Sequence, residues 1–157
     1  MMDVLDAPHL LTVLITVVIV ILCVGVHYEG LSVLSRWARG DVSPPRLKIA
    51  TLILGQLFLH VIEIWIFAAG YFLLVQKLKF GAILQFPYAN EPSLHITGFL
   101  DHVYFSAVVY STLGFGDLIP EGPARFLTGL EAVAGLVLIT WSASFTFLEM
   151  QRYWGRD

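Results

Sequence analysis

Three runs of predominantly apolar residues constrain this chain more than anything else in it. They cover about residues 10–28, 49–75 and 126–150. About 20 apolar residues wound as a helix match the thickness of a bilayer's hydrocarbon core. Inside that core the backbone must satisfy its own polar groups, which a helix does. Three spanning helices are therefore expected. Composition agrees, since 57% of the 157 residues are hydrophobic and only 13% are charged, which is the balance of a membrane protein. The first run is preceded by Asp3 and Asp6 rather than by lysine or arginine, and no small-residue cleavage pattern follows it. It reads as a retained anchor, with a cleaved signal peptide as the alternative. Cys23, the single cysteine, lies within it and has no partner for an intrachain disulfide.

Charge sets the expected orientation. Arg36, Arg39, Arg46 and Lys48 lie between the first two runs, and Arg152 and Arg156 follow the third. The other side holds Lys77, Lys79 and Arg125 among more acids: Asp3, Asp6, Glu91, Asp101, Asp117 and Glu121. The positive-inside rule places residues 29–48 and the C-terminus in the cytoplasm and the N-terminus outside.

Between the spans, residues 30–40 mix Leu31, Val33, Leu34 and Trp37 with Arg36 and Arg39. That pattern predicts a short helix lying in the cytoplasmic interface. Pro44 and Pro45 end it, because proline does not continue a helix. Gly81, Pro87, Asn90, Pro92 and Ser93 predict an outer loop over residues 80–97. Residues 98–111 form an apolar helix too short to span, and Pro120, Gly122 and Pro123 predict a turn before the third span.

The short helix leads directly into Thr112-Leu113-Gly114-Phe115-Gly116-Asp117. Glycines at alternate positions permit backbone angles that a Cβ resists. Such a strand turns successive carbonyl oxygens the same way, and a ring of these strands replaces the water shell of a cation. The stretch resembles the selectivity filter of the potassium-channel pore-domain family, usually written T-V-G-Y-G-D. The flanking order, with pore helix, filter, turn and inner helix, is similar too.

The resemblance implies an all-α membrane protein with three transmembrane helices, a re-entrant pore helix and a filter loop. Residues 1–48 would be an N-terminal helix and interfacial segment. Residues 49–157 would be the pore domain, with outer helix 49–76, turret 77–97, pore helix 98–111, filter 112–117 and inner helix 125–150. The chain has no internal repeat, so the resemblance implies a homotetramer in the lipid bilayer of the cell's inner (plasma) membrane. It also implies K+ sites at the backbone oxygens of Thr112, Leu113, Gly114 and Phe115, with Gly116 permitting the turn and Asp117 at the filter mouth. No cofactor beyond K+ ions in the filter is implied.

Three residues depart from the family pattern. Leu113 is not β-branched, so it holds its backbone less stiffly than valine. Phe115 lacks the tyrosine hydroxyl. Val108 stands where some bacterial members carry a glutamate that pairs with the filter aspartate, leaving Asp117 without that partner. Tyr104, Phe105 and Tyr110 are expected to pack the pore helix, with Asp101 and Ser106 capping or satisfying it. Alignment with the family puts Gly135 at the inner-helix hinge position, with a close helix contact as the alternative reading. Helical spacing then places Leu136, Ile139, Ala143 and Phe147 on the pore side, Phe147 being the first gate candidate and lipid exposure its alternative.

His60, Glu63 and Glu131 are ionisable groups inside spans, and such groups face protein or water. His60 and Glu63 share a helix face. They are candidates for pH modulation or for a static structural bond. A metal site at these two is the weaker reading, because H-E-x-x-H is absent. No nucleophile–base pair or phosphate loop points to an enzyme, and no basic patch points to nucleic acid. The expected activity is passive K+ conduction. The alternatives are a weakly selective monovalent cation channel and a non-conducting membrane adaptor that keeps the pore fold.

Overall fold

The computed structural model describes residues 6–40, 42–85 and 94–154. Asp3, Glu91, Arg156 and residues 86–93 of the expected outer loop lie outside the described residues. Four helices carry the architecture: α1 (Ala7–Gly40), α2 (Pro45–Phe72, continued by one wider turn over Leu73–Lys77), α3 (Phe99–Tyr110) and α4 (Ala124–Trp154). α1, α2 and α4 are long and apolar enough to cross a membrane. α3 has 12 residues, about 18 Å at helical rise, and is too short. The result is an all-α membrane fold of three spanning helices and one half-length helix.

α1 corrects one expectation. It runs unbroken for 34 residues, about 51 Å, with no separate interfacial helix after Tyr28. Gly30 is a contact notch rather than a break. A Cβ on it would meet the Leu59 side chain of α2 at 2.4 Å. The missing side chain lets the two helices close together there, so the contact outweighs glycine's weak helix preference.

A small sheet corrects another. β1 (Ala82–Gln85), β2 (Leu94–His95) and β3 (Leu118–Glu121) lie in the order β2-β1-β3, both pairs antiparallel. Leu84 faces His95 on one side and Ile119 on the other. The sequence reading had only a loop and a turn here, because strands of two to four residues are too short to show alternation. Pro120 fits because β3 is an edge strand. Gly81, at φ +97, lets β1 begin where a Cβ would sit 2.2 Å from the Glu121 carbonyl. The sheet ties the chain before α3 to the chain after residue 117.

α3 packs between α2 and α4. Phe67, Tyr71, Leu74, Phe105, Tyr110, Leu127 and Leu138 form the centre of the core, joined by Ile19 and Cys23 of α1. Apolar groups fill this region, and two hydrogen-bonded polar clusters, on Glu63 and on Glu131, flank α3.

Candidate functional site

The end of α3 holds the start of the glycine-bearing segment. Thr112 N–H donates to the Val109 carbonyl at 2.9 Å, and the N–H groups of Leu113 and Gly114 both donate to the Val108 carbonyl at 3.0 and 3.3 Å. These carbonyls belong to the last turn of a helix, where they lack partners within it. Thr112, Gly114 and Gly116 then take φ of +58, +56 and +79, while Leu113 and Phe115 keep negative φ. Alternating handedness turns successive carbonyls toward one side. The left-handed state costs a residue with a Cβ roughly 1–2 kcal/mol, a strain that Thr112 bears. Residues 112–116 are exposed, with Leu113 at 57% and Phe115 at 64%.

Asp117 has a partner after all. The Tyr104 hydroxyl of α3 donates to its Oδ2 at 2.8 Å. A phenol on α3, one turn before Val108, thus does what a carboxyl at Val108 would do. At the other end of α3, Gly98 N–H donates to Asp101 Oδ2 at 3.2 Å, so Asp101 caps the helix.

Glu131 lies fully buried behind α3. Ser106 donates to its Oε1 and Tyr71 to its Oε2, each at 2.5 Å. The Ser106 hydroxyl also lies 2.9 Å from the Ile64 carbonyl. This carboxyl therefore joins α2, α3 and α4. The second cluster is centred on Glu63, also fully buried. His60 Nδ1–H is shared between Glu63 Oε2 at 3.0 Å and the Tyr110 hydroxyl oxygen at 2.9 Å. Tyr110 itself donates to Glu63 Oε2. His27 of α1 donates to Glu63 Oε1 at 2.8 Å. Its ring stacks at 5.4 Å from His60 and 5.2 Å from Trp141 of α4.

His27 and Tyr71 escaped the sequence reading. The first span was ended at Tyr28, which put His27 at a membrane edge, whereas α1 continues 12 residues beyond it. An unbroken helical run to residue 40 was the signal that placed His27 deep. Tyr71 carried no signal, because one tyrosine in a long apolar helix is ordinary.

Gly135 lies within unbroken α4, and a Cβ there would sit 2.1 Å from the Tyr110 carbonyl oxygen. Its place is a close contact with the end of α3. Leu136, Ile139, Ala143 and Phe147 are all exposed and share one stripe of α4, away from the core residue Leu138. His60, Glu63 and Glu131 are not brought together, since they fall into the two separate clusters.

Comparison with known proteins identifies a family. The family described as "Ion channel" matches residues 49–152, covering α2 through most of α4. Two curated relatives, potassium voltage-gated channel subfamily A member 10 of Mus musculus and of Homo sapiens, are each 30% identical over 70 residues, which is 44% of this chain. The match spans 14% of the length of each relative. No solved structure matches the chain. The chain belongs to the ion channel family, as a multi-pass membrane protein whose family match over residues 49–152 is preceded by one further helix long and apolar enough to cross a membrane.

Proposed function

We propose that four copies of this chain assemble around a common axis and conduct K+ passively and selectively through a filter of Thr112, Leu113, Gly114, Phe115 and Gly116. The observation that carries this reading is the alternation of left-handed backbone at Thr112, Gly114 and Gly116 in a segment left open to solvent. One such strand offers carbonyls on one side only, and a dehydrated cation needs oxygens all round. Three identical subunits supply the rest. The potassium-channel relatives support the choice of ion.

In this reading Leu136, Ile139, Ala143 and Phe147 line the inner cavity, and Phe147, farthest from the filter, narrows it by dewetting. Gly135 acts as a packing point rather than a hinge. Arg36, Arg39, Arg46 and Lys48 support a cytoplasmic side opposite the filter mouth, with the N-terminus outside the cell's inner membrane. Membership of an ion channel family favours conduction over enzymatic turnover.

Leu113 and Phe115 favour a second reading, a weakly selective cation channel. Both side chains are largely exposed in the single subunit, so filter width depends on how a neighbour holds them. Cation flux through purified protein in liposomes separates the readings. K+ flux that exceeds Na+ flux and disappears in Gly114→Ala supports the selective pore. Equal flux favours the weakly selective one. No flux, together with no tetramer on crosslinking, favours the non-conducting adaptor.

A further inference from the structure

The cluster on Glu63 has the composition of a metal site. His27 and His60 each offer an imidazole nitrogen and Glu63 a carboxylate oxygen, and these atoms all lie within 4.8 Å of one another. We propose that His27, His60 and Glu63 bind a divalent first-row transition-metal ion, zinc being the ion that fits best, with the Tyr110 hydroxyl or a water at the fourth position.

Chemistry supports zinc over the hard cations. Two imidazoles and one carboxylate form a borderline N/O set suited to Zn2+, whereas Mg2+ and Ca2+ need oxygen-rich shells. Geometry supports it as well. Donors around a tetrahedral zinc, at bonds of about 2.0–2.1 Å, stand roughly 3.4 Å apart. His27 Nδ1 lies 2.8 Å from Glu63 Oε1 and His60 Nδ1 lies 3.0 Å from Glu63 Oε2, so the carboxylate must turn one oxygen toward both imidazoles to hold a single ion, within a cluster whose donors already lie within 4.8 Å of one another.

The rings are already oriented. His27 lies between His60 and Trp141, and His60 lies 5.8 Å from the Tyr110 ring. Side chains held by packing and by outer hydrogen bonds make better ligands. Metal binding at Nδ1 requires each imidazole to carry its proton on Nε2 instead. For His27 that proton faces Ser142 Oγ, 3.4 Å away on α4, an oxygen able to accept it. His60 keeps an exposed edge, with 15% of its side chain accessible, which leaves one side of the cluster open.

Among the described residues, the groups bonded to Glu63 are His27, His60 and Tyr110, with no lysine or arginine. Bound metal would tie α1 to α2 and to the last residue of α3, two positions before Thr112. The first helix would then be coupled to the filter by coordination as well as by packing.

The test is metal binding, so its outcome does not depend on conduction. Full-length protein in detergent, stripped with chelator and dialysed against Zn2+, is assayed for bound metal by mass spectrometry. Co2+ replaces Zn2+ for the intense visible absorption of a tetrahedral site. The expected result is one ion per chain, weakened at least about tenfold in His27→Gln and His60→Gln and unchanged in His9→Ala and His95→Ala. Glutamine at 27 retains an amide donor for Glu63, so the fold is preserved, and unchanged circular dichroism and melting of the metal-free protein verify this. Binding also weakens as pH falls, because protons compete for all three ligands. Absence of stoichiometric metal in the wild type overturns the proposal and leaves a hydrogen-bonded clamp. Metal that survives both glutamine variants, or disappears with His9 or His95, overturns it too, by locating the ion at the surface.

Discussion

Gly135 of α4 rests its bare Cα against the backbone of Tyr110, where an added Cβ would lie 2.1 Å from the carbonyl oxygen and 2.9 Å from the carbonyl carbon. The obstacle is backbone at the end of α3, which cannot turn aside as a side chain can. Tyr110 is also two residues before Thr112. Gly135→Ala is expected to push α4 and α3 apart and to cost about 1–3 kcal/mol, the usual range for overpacking. Thermal unfolding in detergent should show the loss, and crosslinking should show whether assembly survives. A melting temperature equal to the wild type would mean that α4 is free to shift and that the contact is loose.

Tyr104 and Asp117 test how the far end of the glycine-bearing segment is held. Tyr104→Phe keeps the ring and removes the donor at 2.8 Å. Hydrogen bonds to charged groups are worth roughly 1.5–3 kcal/mol, and exposure lowers this to about 1 kcal/mol here. The fold should therefore persist, with K+ flux that decays faster during a recording. A time course indistinguishable from the wild type removes Tyr104 from any role at the filter.

Glu131 joins two buried hydroxyls. Glu131→Gln retains an acceptor for one, and its amide can donate to the other. Glu131→Leu leaves the Tyr71 and Ser106 hydroxyls with only weaker contacts, Thr128 Oγ1 at 3.2 Å for Tyr71 and the Ile64 carbonyl for Ser106. Each unsatisfied buried group costs about 1–3 kcal/mol. The leucine variant should thus be less stable than the glutamine variant by about 2–4 kcal/mol, allowing for those residual contacts. Equal melting of the two in the same detergent would contradict a structural role for the carboxyl's hydrogen bonds.

Two glycines of α1 should respond in opposite directions. A Cβ on Gly25 meets nothing within 4 Å, whereas one on Gly30 meets Leu59 at 2.4 Å. Gly25→Ala should stabilise α1 by roughly 0.5–1 kcal/mol through helix preference alone. Gly30→Val should separate α1 from α2 and lower the melting temperature by several degrees. If both raise stability, Gly30 is not a packing notch and the register of α1 on α2 differs.

Three spanning helices and the half-length helix were legible in the chain, because hydrocarbon thickness and apolar run length are linked by a fixed rise per residue. The filter-like segment was legible as well, since few residue types tolerate left-handed backbone and Gly114 and Gly116 announce it. Length and pattern act along the chain, so one sequence displays them. What joins distant positions was decided only by the tertiary structure. His27 reached Glu63 because α1 did not stop at Tyr28, and Gly30, which read as a boundary, proved to be the place where α2 approaches. Tyr104 replaced the missing partner of Asp117 from four residues before Val108, a choice made by the direction of a side chain. β1, β2 and β3 paired across gaps longer than their own length. Hydrogen bonds and close contacts of this kind depend on which helix faces meet, and that follows from packing three long helices around α3 rather than from any local pattern of residues.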